Sequence, residues 1–382
     1  MRIAANIDPL AEESERARYL THLFEALGTI DGVNDYLMLS HRSVAKRPTT
    51  PSTFAWEDVT VSGPSERLKR IRWEQQIFAE VARRRGAKMI YIPYFAPPLR
   101  SALPVIATVP DLLTFALQDY RPSTTQWLYQ QLLGRAARRV AMIICSSEFI
   151  KAESIRLLEI PAERIVVIPT APPPQFRPVT DASRLRALRS HYSIGERFIT
   201  YCGGFDARKN LTMLIGAFAA AMHRIGDSTL QLVLAGDSAQ LGSNLLYPDW
   251  RPLARKFGIE SRIIMADVAY EDLPVLYTLA SCFVYPSEYE GDGRTVLEAM
   301  ACGAPAIISD QPALQEATGS AALSFPLAKA SDGTTNAAMR ALANQLARLL
   351  AAPEVREEYH QRSLARASQF TWAQVAGETS AV

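Results

Sequence analysis

Short apolar, β-branched runs alternate along this chain with longer segments of helical period. In the first half the runs are RIAANI, YLMLS, MIYIP, VIATV, MIICSS and RIVVIP; in the second they are FITYCGG, LQLVLAGD, RIIMAD, CFVYPS and AIISD. Runs that are apolar nearly throughout, rather than at every second position, belong to strands covered on both faces, and the segments between them supply the covering helices. The rhythm predicts an α/β protein made of βα units around parallel sheets. It breaks once, at PTAPPPQFRP (169–178), which is too rich in proline for a helix interior or a central strand. That segment reads as a linker between a first domain over residues 1–176 and a second over 177–365. The tail from about residue 335 reads as two helices. The aromatic pair in QFTWAQVA (369–376) suits a last helix, at 366–382, anchored on another surface, a return to the first domain included. There is no internal repeat or low-complexity tract.

Composition agrees with two domains: 382 residues, 48% hydrophobic and 21% charged, describe a soluble globular chain too long for one compact core. No apolar run reaches the roughly 18 residues of a spanning helix, and the start, MRIAANIDPL, has no leader pattern, so a cytoplasmic protein is expected. Cys145, Cys202, Cys282 and Cys302 stand singly, without CxxC spacing, and read as reduced core residues. The net charge of +2 divides unevenly, with 23 Lys and Arg against 18 Asp and Glu in residues 1–178, and 18 against 21 beyond. Basic runs RLKRIRW, ARRRGAK and GRAARR lie in the first half. They suit peripheral contact with an anionic membrane at the inner face of the cell or with a phosphate-bearing acceptor, and equally read as solvated helix faces. No nucleic-acid partner is expected.

The chemistry concentrates in the second half. CFVYPS predicts a strand and RTVLEAMAC an apolar-periodic helix, so EYEGDG between them is a loop at a strand's carboxyl end, the edge where open α/β sheets bind ligands. Glu290 precedes the turn and Glu298 follows it, about one turn into the helix and pointing back toward the loop. Gly291 and Gly293 let backbone approach a ligand, Asp292 suits a cap, and the helix amino terminus offers N–H groups and partial positive charge to an anion. A second loop is similar: after FITYCGG, the segment FDARKNLTMLIGAF (205–218) predicts a helix with Arg208 and Lys209 at its entrance. Two cations there oppose the macrodipole and cost stability unless an anion sits beside them. A phosphate is one such anion; a salt bridge or a solvated pair is the alternative.

In this order and spacing, YPS, Glu290, the glycine-rich turn, Glu298 and EAMACGAPAI resemble the E-x7-E signature of retaining glycosyltransferases, and GGFDARKN is similar to their diphosphate-binding loop. SSEFIKAESIRLLEIPAERIVVIP (146–169) resembles the segment that closes the first domain of glycosyltransferase family 4, and MADVAYEDLPVLYTLASCFVYPS the approach to the signature, so the likeness runs along nearly the whole chain. It implies a GT-B fold: two Rossmann-like doubly wound parallel-sheet domains with a cleft between them. It also implies an enzyme that moves a hexose, of mannose or glucose type, from a GDP- or UDP-sugar to a saccharide or lipid-linked saccharide acceptor in cell-surface polysaccharide synthesis.

Within that resemblance Glu298 would bind the ribose hydroxyls, Arg208 and Lys209 the diphosphate, and Glu290 would face the donor sugar. Backbone N–H groups of Gly293, Arg294 and Thr295 would support sugar or phosphates, and backbone near Val268, between Ala266 and Ala269, would meet the base. The chemistry is consistent: a carboxylate accepts two hydrogen bonds from a cis-diol, and a departing diphosphate needs its growing charge stabilised. A structural account remains beside each, an i,i+4 pair with Arg294 for Glu298 and a surface acid for Glu290.

The first half departs from the family pattern. AEESERARY (11–19) stands where members often carry a glycine-rich segment, and VIATVPDLLTF (105–115) has Pro110 before Asp111 where many have His before Asp. Asp111 either orients the acceptor or caps the next segment. His22 and His41 read as surface residues, with only His41 placed to reach a cleft. Gly204 stands where some members have Arg, leaving more of the diphosphate charge to Arg208 and Lys209. No metal is expected, because no Asp-x-Asp pair follows a strand and the two cations can neutralise the leaving group. Two further readings stay open: a non-catalytic relative that binds nucleotide sugar or a partner enzyme, and a nucleotide-sugar epimerase, for which no converging acids and histidine can be identified.

Overall fold

The computed structural model describes residues 1–327 and 335–382. The chain forms two compact units, Met1–Thr170 with Thr371–Val382, and Ala171–Phe370. In the first unit, β1 (Arg2–Asn6), β2 (Asp35–Ser40), β3 (Phe54–Asp58), β4 (Met89–Ile92), β5 (Val105–Val109), β6 (Met142–Cys145) and β7 (Ile165–Val167) form one sheet in the order β3-β2-β1-β4-β5-β6-β7. Every pairing is parallel, Ala4 of β1 lying opposite Leu37 on one side and Ile90 on the other. The helix Glu15–Ile30 shows why the covering layer forms. Ser14 caps it by accepting from the Ala17 N–H, and Leu20, Leu23, Phe24 and Leu27 make the i, i+3, i+4, i+7 stripe that is buried.

The second unit carries β8 (Phe198–Cys202), β9 (Gln231–Ala235), β10 (Ile263–Ala266), β11 (Cys282–Tyr285), β12 (Ala306–Ser309) and β13 (Leu323–Phe325), in the order β10-β9-β8-β11-β12-β13, again parallel throughout. Each unit is thus a doubly wound sheet, with strand order reversing between β1 and β4 in one and between β8 and β11 in the other. Beyond the carboxyl ends of such strand pairs lie the crevices where open α/β sheets take ligands.

Three features add to the sequence reading. Strand β3 (FAWED) is an edge strand whose residues are mostly half-exposed or exposed, and it carries no continuous apolar run to announce it. The basic runs are ion-paired helix faces: Lys69 pairs with Glu66, Arg70 with Glu74, Arg83 and Arg84 with Glu80, Arg85 with Glu57 and Arg138 with Glu159. The helix Trp372–Ala381, started by a capping box between Thr371 and Gln374, belongs to the first unit. There Trp372 meets the rings of Tyr19 and His22 at 5.4 and 5.3 Å, and the Ser380 hydroxyl donates to Asp31. His22 is therefore not the surface residue expected. Packed under Trp372, it has its pKa lowered by burial, with Glu25 acting in the other direction.

Cys145, Cys282 and Cys302 are buried and Cys202 half-buried, none of them in a disulfide; burial pushes the Cys145 thiol up to about 12. No helix among the described residues is long and apolar enough to cross a membrane.

Candidate active site

At the switch point of the second unit, β8 and β11 deliver their following loops side by side. After β8 the chain turns at Gly203 (φ +147°), and Gly236, after β9, approaches so closely that a Cβ there would lie 2.2 Å from the Gly203 carbonyl oxygen. The Tyr201 hydroxyl donates to the Gly204 carbonyl and fixes the loop. Arg208 and Lys209 then fall in a short 3-10 turn, Ala207–Lys209, and the helix Leu211–Ile225 starts only after Asn210, which adopts the left-handed conformation. The two cations thus stand one turn ahead of the helix rather than in its first turn. Asn and its short polar side chain tolerate that conformation, which the apolar period of the following residues does not reveal.

The anion that these cations call for is Glu290. Its Oε1 accepts from Lys209 Nζ at 2.5 Å, Arg208 Nη1 at 3.1 Å and Ser287 Oγ at 2.5 Å. Arg208 also donates to the Tyr289 carbonyl at 2.7 Å and pairs through Nε with Asp206. Lys209 is 5% exposed, donates to the Tyr285 hydroxyl at 2.7 Å and lies over that ring. An ammonium so buried requires a carboxylate partner, because desolvation otherwise costs several kcal/mol, about the penalty for each buried ion. The loop is held from below: Ser309 Oγ donates to the Ser287 carbonyl and Gln311 Nε2 to the Glu290 carbonyl. Burial raises the pKa of neighbouring Glu288, which accepts from Asn210.

After the turn, Asp292 Oδ1 accepts from the Arg294 N–H, and the Arg294 guanidinium reaches the same carboxylate at 3.8 Å. Gly293 caps the helix Arg294–Ala301, and its lack of a side chain has a packing cause: a Cβ would lie 2.2 Å from that of Ala317. Thr295 is half-buried in the first turn. Glu298 is buried on the same helix, and its charge adds to burial in raising the pKa of the Tyr277 hydroxyl and the Cys302 thiol. Val268 follows β10 and packs against the core of this unit.

Two family models match the chain, Glycosyltransferase Family 4 over residues 47–175 and Glycosyl transferases group 1 over 196–351. The chain belongs to glycosyltransferase family 4. Among its relatives, the O-antigen chain mannosyltransferase B of Escherichia coli is 29% identical over 274 residues, 72% of this chain and 68% of that protein. Among solved structures, sucrose-phosphate synthase from Thermosynechococcus elongatus superposes with a TM-score of 0.73 at 21% identity, covering 100% of this chain and 98% of that one. The Anabaena protein HepE in complex with UDP-glucose gives 0.72 at 16% identity, covering 100% and 98%. These neighbours share the GT-B fold, and the protein is a glycosyltransferase.

With the family in place, the distribution of the predicted residues is informative. Glu290, Arg208 and Lys209 converge, Gly204 borders them, and Gly293, Arg294, Thr295 and Glu298 follow on one helix. Asp111 lies on the other unit, exposed, where its Oδ1 accepts from the Leu113 N–H just ahead of the short helix Leu113–Ala116, whose N-cap position is Leu112. The sequence reading missed Ser287 and Tyr285, both partners of the central ions, although YPS within the signature stretch contains them.

It also missed a polar cluster at the switch point of the first unit. His41, expected at the surface, is only 2% exposed in its side chain, and its Nδ1 meets the carboxylate of Asp8. Asp8 Oδ1 accepts from Ser40 Oγ at 2.7 Å and from the His41 N–H at 2.8 Å. Asn6, at the end of β1, accepts from the Trp73 indole at 3.1 Å, while its Nδ2 and the Tyr94 hydroxyl, just beyond β4, are buried without a partner. The signal was available in ANID and YLMLSH, where polar residues sit at or just after strand ends.

Proposed function

We propose that this glycosyltransferase moves a hexose, of mannose or glucose type, from a GDP- or UDP-sugar to a saccharide or lipid-linked saccharide, with retention at the anomeric carbon. The observation that carries the reading is the convergence of Arg208, Lys209 and Glu290 beyond the carboxyl ends of β8 and β11. A diphosphate competes with Glu290 for both cations. Once it takes them, the carboxylate is released toward the sugar, and Glu298 is left to accept from the ribose diol. In transfer, the bond from the anomeric carbon to the phosphate oxygen breaks with its electron pair leaving on the diphosphate. A bond to the acceptor hydroxyl oxygen forms, and the hydroxyl proton passes to an oxygen of the departing diphosphate. Arg208 and Lys209 stabilise the charge that grows on the leaving group, and Glu290 the positive charge at the sugar. Mannose is favoured by likeness to the O-antigen chain mannosyltransferase, and polysaccharide synthesis by the same relative.

The acceptor is assigned to the first unit, where Asn6 Nδ2 and the Tyr94 hydroxyl offer neutral hydrogen-bonding groups of the kind that sugar hydroxyls match. Leu128 and Leu132, exposed on the helix Thr124–Ala137 together with Arg135, support peripheral contact of that unit with an anionic membrane.

The test is calorimetry with GDP, UDP and their nucleosides, followed by transfer from the matching mannose and glucose donors. One diphosphate is expected to bind far more tightly than its nucleoside and, at 100 times its Kd, to stabilise the chain by about 2.7 kcal/mol. Equal binding of nucleoside and diphosphate would remove the two cations from the donor site, and an inverted product would remove the retaining mechanism. Because Arg208 and Lys209 supply the charge, turnover is expected to survive excess chelator; loss with EDTA and recovery with Mg²⁺ would transfer that role to a metal.

A further inference from the structure

The amino edge of the second sheet, the end of the strands opposite the Glu290 loop, carries a hollow of about 890 Å³ lined by four arginines. Arg197 stands immediately before β8, Arg224 and Arg348 lie in the last turns of the helices Leu211–Ile225 and Thr335–Ala351, and Arg356 lies in the first turn of the helix Pro353–Ala367. Arg197 is accounted for by Asp227 at 2.7 Å and by the Leu350 carbonyl, and Arg224 by the side chain of Asn344. Among the described residues neither the Arg348 nor the Arg356 side chain has a hydrogen-bond or ion-pair partner.

Helix polarity explains part of this. Arg224 and Arg348 face the negative ends of their helices, where cations are stabilised, but Arg356 sits at a positive end, where a cation is destabilised. Asp227, already shared with Thr229 N–H and hydroxyl donors, balances one charge of four. Like charges converging on a hollow of that size, with a helix amino terminus added, make a polyanion site. Its lining has no exposed large apolar side chain of the kind that inserts into a bilayer, which favours a soluble ligand.

We propose that this hollow binds a small oligophosphate-bearing anion, at a site separate from the donor site on the same unit. Isothermal titration with sodium tripolyphosphate at about 0.15 M salt, where surface charge is screened beyond about 8 Å, tests it. The parent chain is expected to bind, Arg348→Gln/Arg356→Gln to bind at least tenfold more weakly, and Arg208→Gln in the donor loop to keep the affinity of the parent. Arg348 is exposed, so Arg348→Gln alone folds and is expected to lose at least threefold. No binding by the parent, equal binding by parent and double variant, or loss confined to Arg208→Gln would each overturn the proposal. So would sedimentation with phosphatidylglycerol vesicles that depends on the two arginines when tripolyphosphate does not bind, since the arginines would then serve a lipid surface.

Discussion

The two units present the same topological opening and fill it with opposite chemistry. Beyond β8 and β11 the loops bring a buried ammonium and a guanidinium each within 3.1 Å of one carboxylate. Beyond β1 and β4 the comparable position holds a carboxylate against a histidine, then an indole, an amide and a phenol, with the Glu74–Arg70 pair close enough to act on that phenol. Backbone topology therefore selects where a ligand can sit, and the loop residues select which ligand. Concentrated charge suits a diphosphate, whose binding exchanges one ion pair for another. Neutral donors and acceptors with unfilled capacity suit sugar hydroxyls, which gain hydrogen bonds without bringing a charge of their own.

The contrast breaks most severely if the ion pair is cut. Lys209→Met leaves Glu290 largely buried with one cation fewer, and removing one partner of a buried pair costs about 3–5 kcal/mol. Urea unfolding of the second unit is expected to shift by that amount, and nucleoside diphosphate affinity to fall tenfold or more, since a charged hydrogen bond is worth about 1.5–3 kcal/mol. Adding Glu290→Gln should return much of the stability and only part of the affinity, through Arg208. Undiminished diphosphate binding in Lys209→Met would show that the charged cluster is structural only.

Glu290→Gln alone separates holding the cations from acting on the sugar. The amide competes less well with phosphate for Arg208 and Lys209, so the nucleoside diphosphate is expected to bind several-fold more tightly. Transfer is expected to fall by about 10²–10³-fold, the size of loss when one electrostatic stabiliser is removed from a transition state. Weaker diphosphate binding with normal transfer would reverse both roles.

The second unit was the more legible of the two, for a physical reason. Its parallel strands are continuous apolar runs, and charged residues standing at strand ends beside glycines violate the local pattern enough to be noticed. What the sequence hid was pairing: nothing local to Arg208 or Lys209 says that residue 290, some eighty positions on, supplies the counter-ion. That contact depends on β8 and β11 being neighbours. Nor could local sequence show that Gly293 answers to Ala317. The edge strands β3 and β13 were missed because partial exposure in the first and a length of only 3 residues in the second leave little periodicity to read. In the first unit the family pattern pointed elsewhere than the buried cluster. Asp111 was noticed, and its carboxylate accepts from the Leu113 N–H, while His41 was assigned to the surface because a polar residue just after a strand gives no hint of a buried aspartate thirty-three residues earlier.

The smallest effect is the sharpest test of the neutral site. Tyr94 is 2% exposed, burial raises its pKa well above the ordinary phenol value with the charges of Glu74 and Asp8 adding to the rise, and its hydroxyl has no hydrogen-bond partner. A buried hydroxyl left unpaired costs about 1–3 kcal/mol, and replacing it by an apolar group of the same shape removes that cost. Tyr94→Phe is therefore expected to stabilise the first unit by about 1 kcal/mol in urea unfolding. If the hydroxyl is kept for an acceptor, the same change should raise the acceptor KM several-fold while leaving the donor KM and diphosphate affinity as they were. Stabilisation without any kinetic change would make Tyr94 a packing residue. Destabilisation would mean that the hydroxyl is paired within the fold, and the first switch point would then differ from the second in charge alone, with no unfilled capacity to receive a sugar.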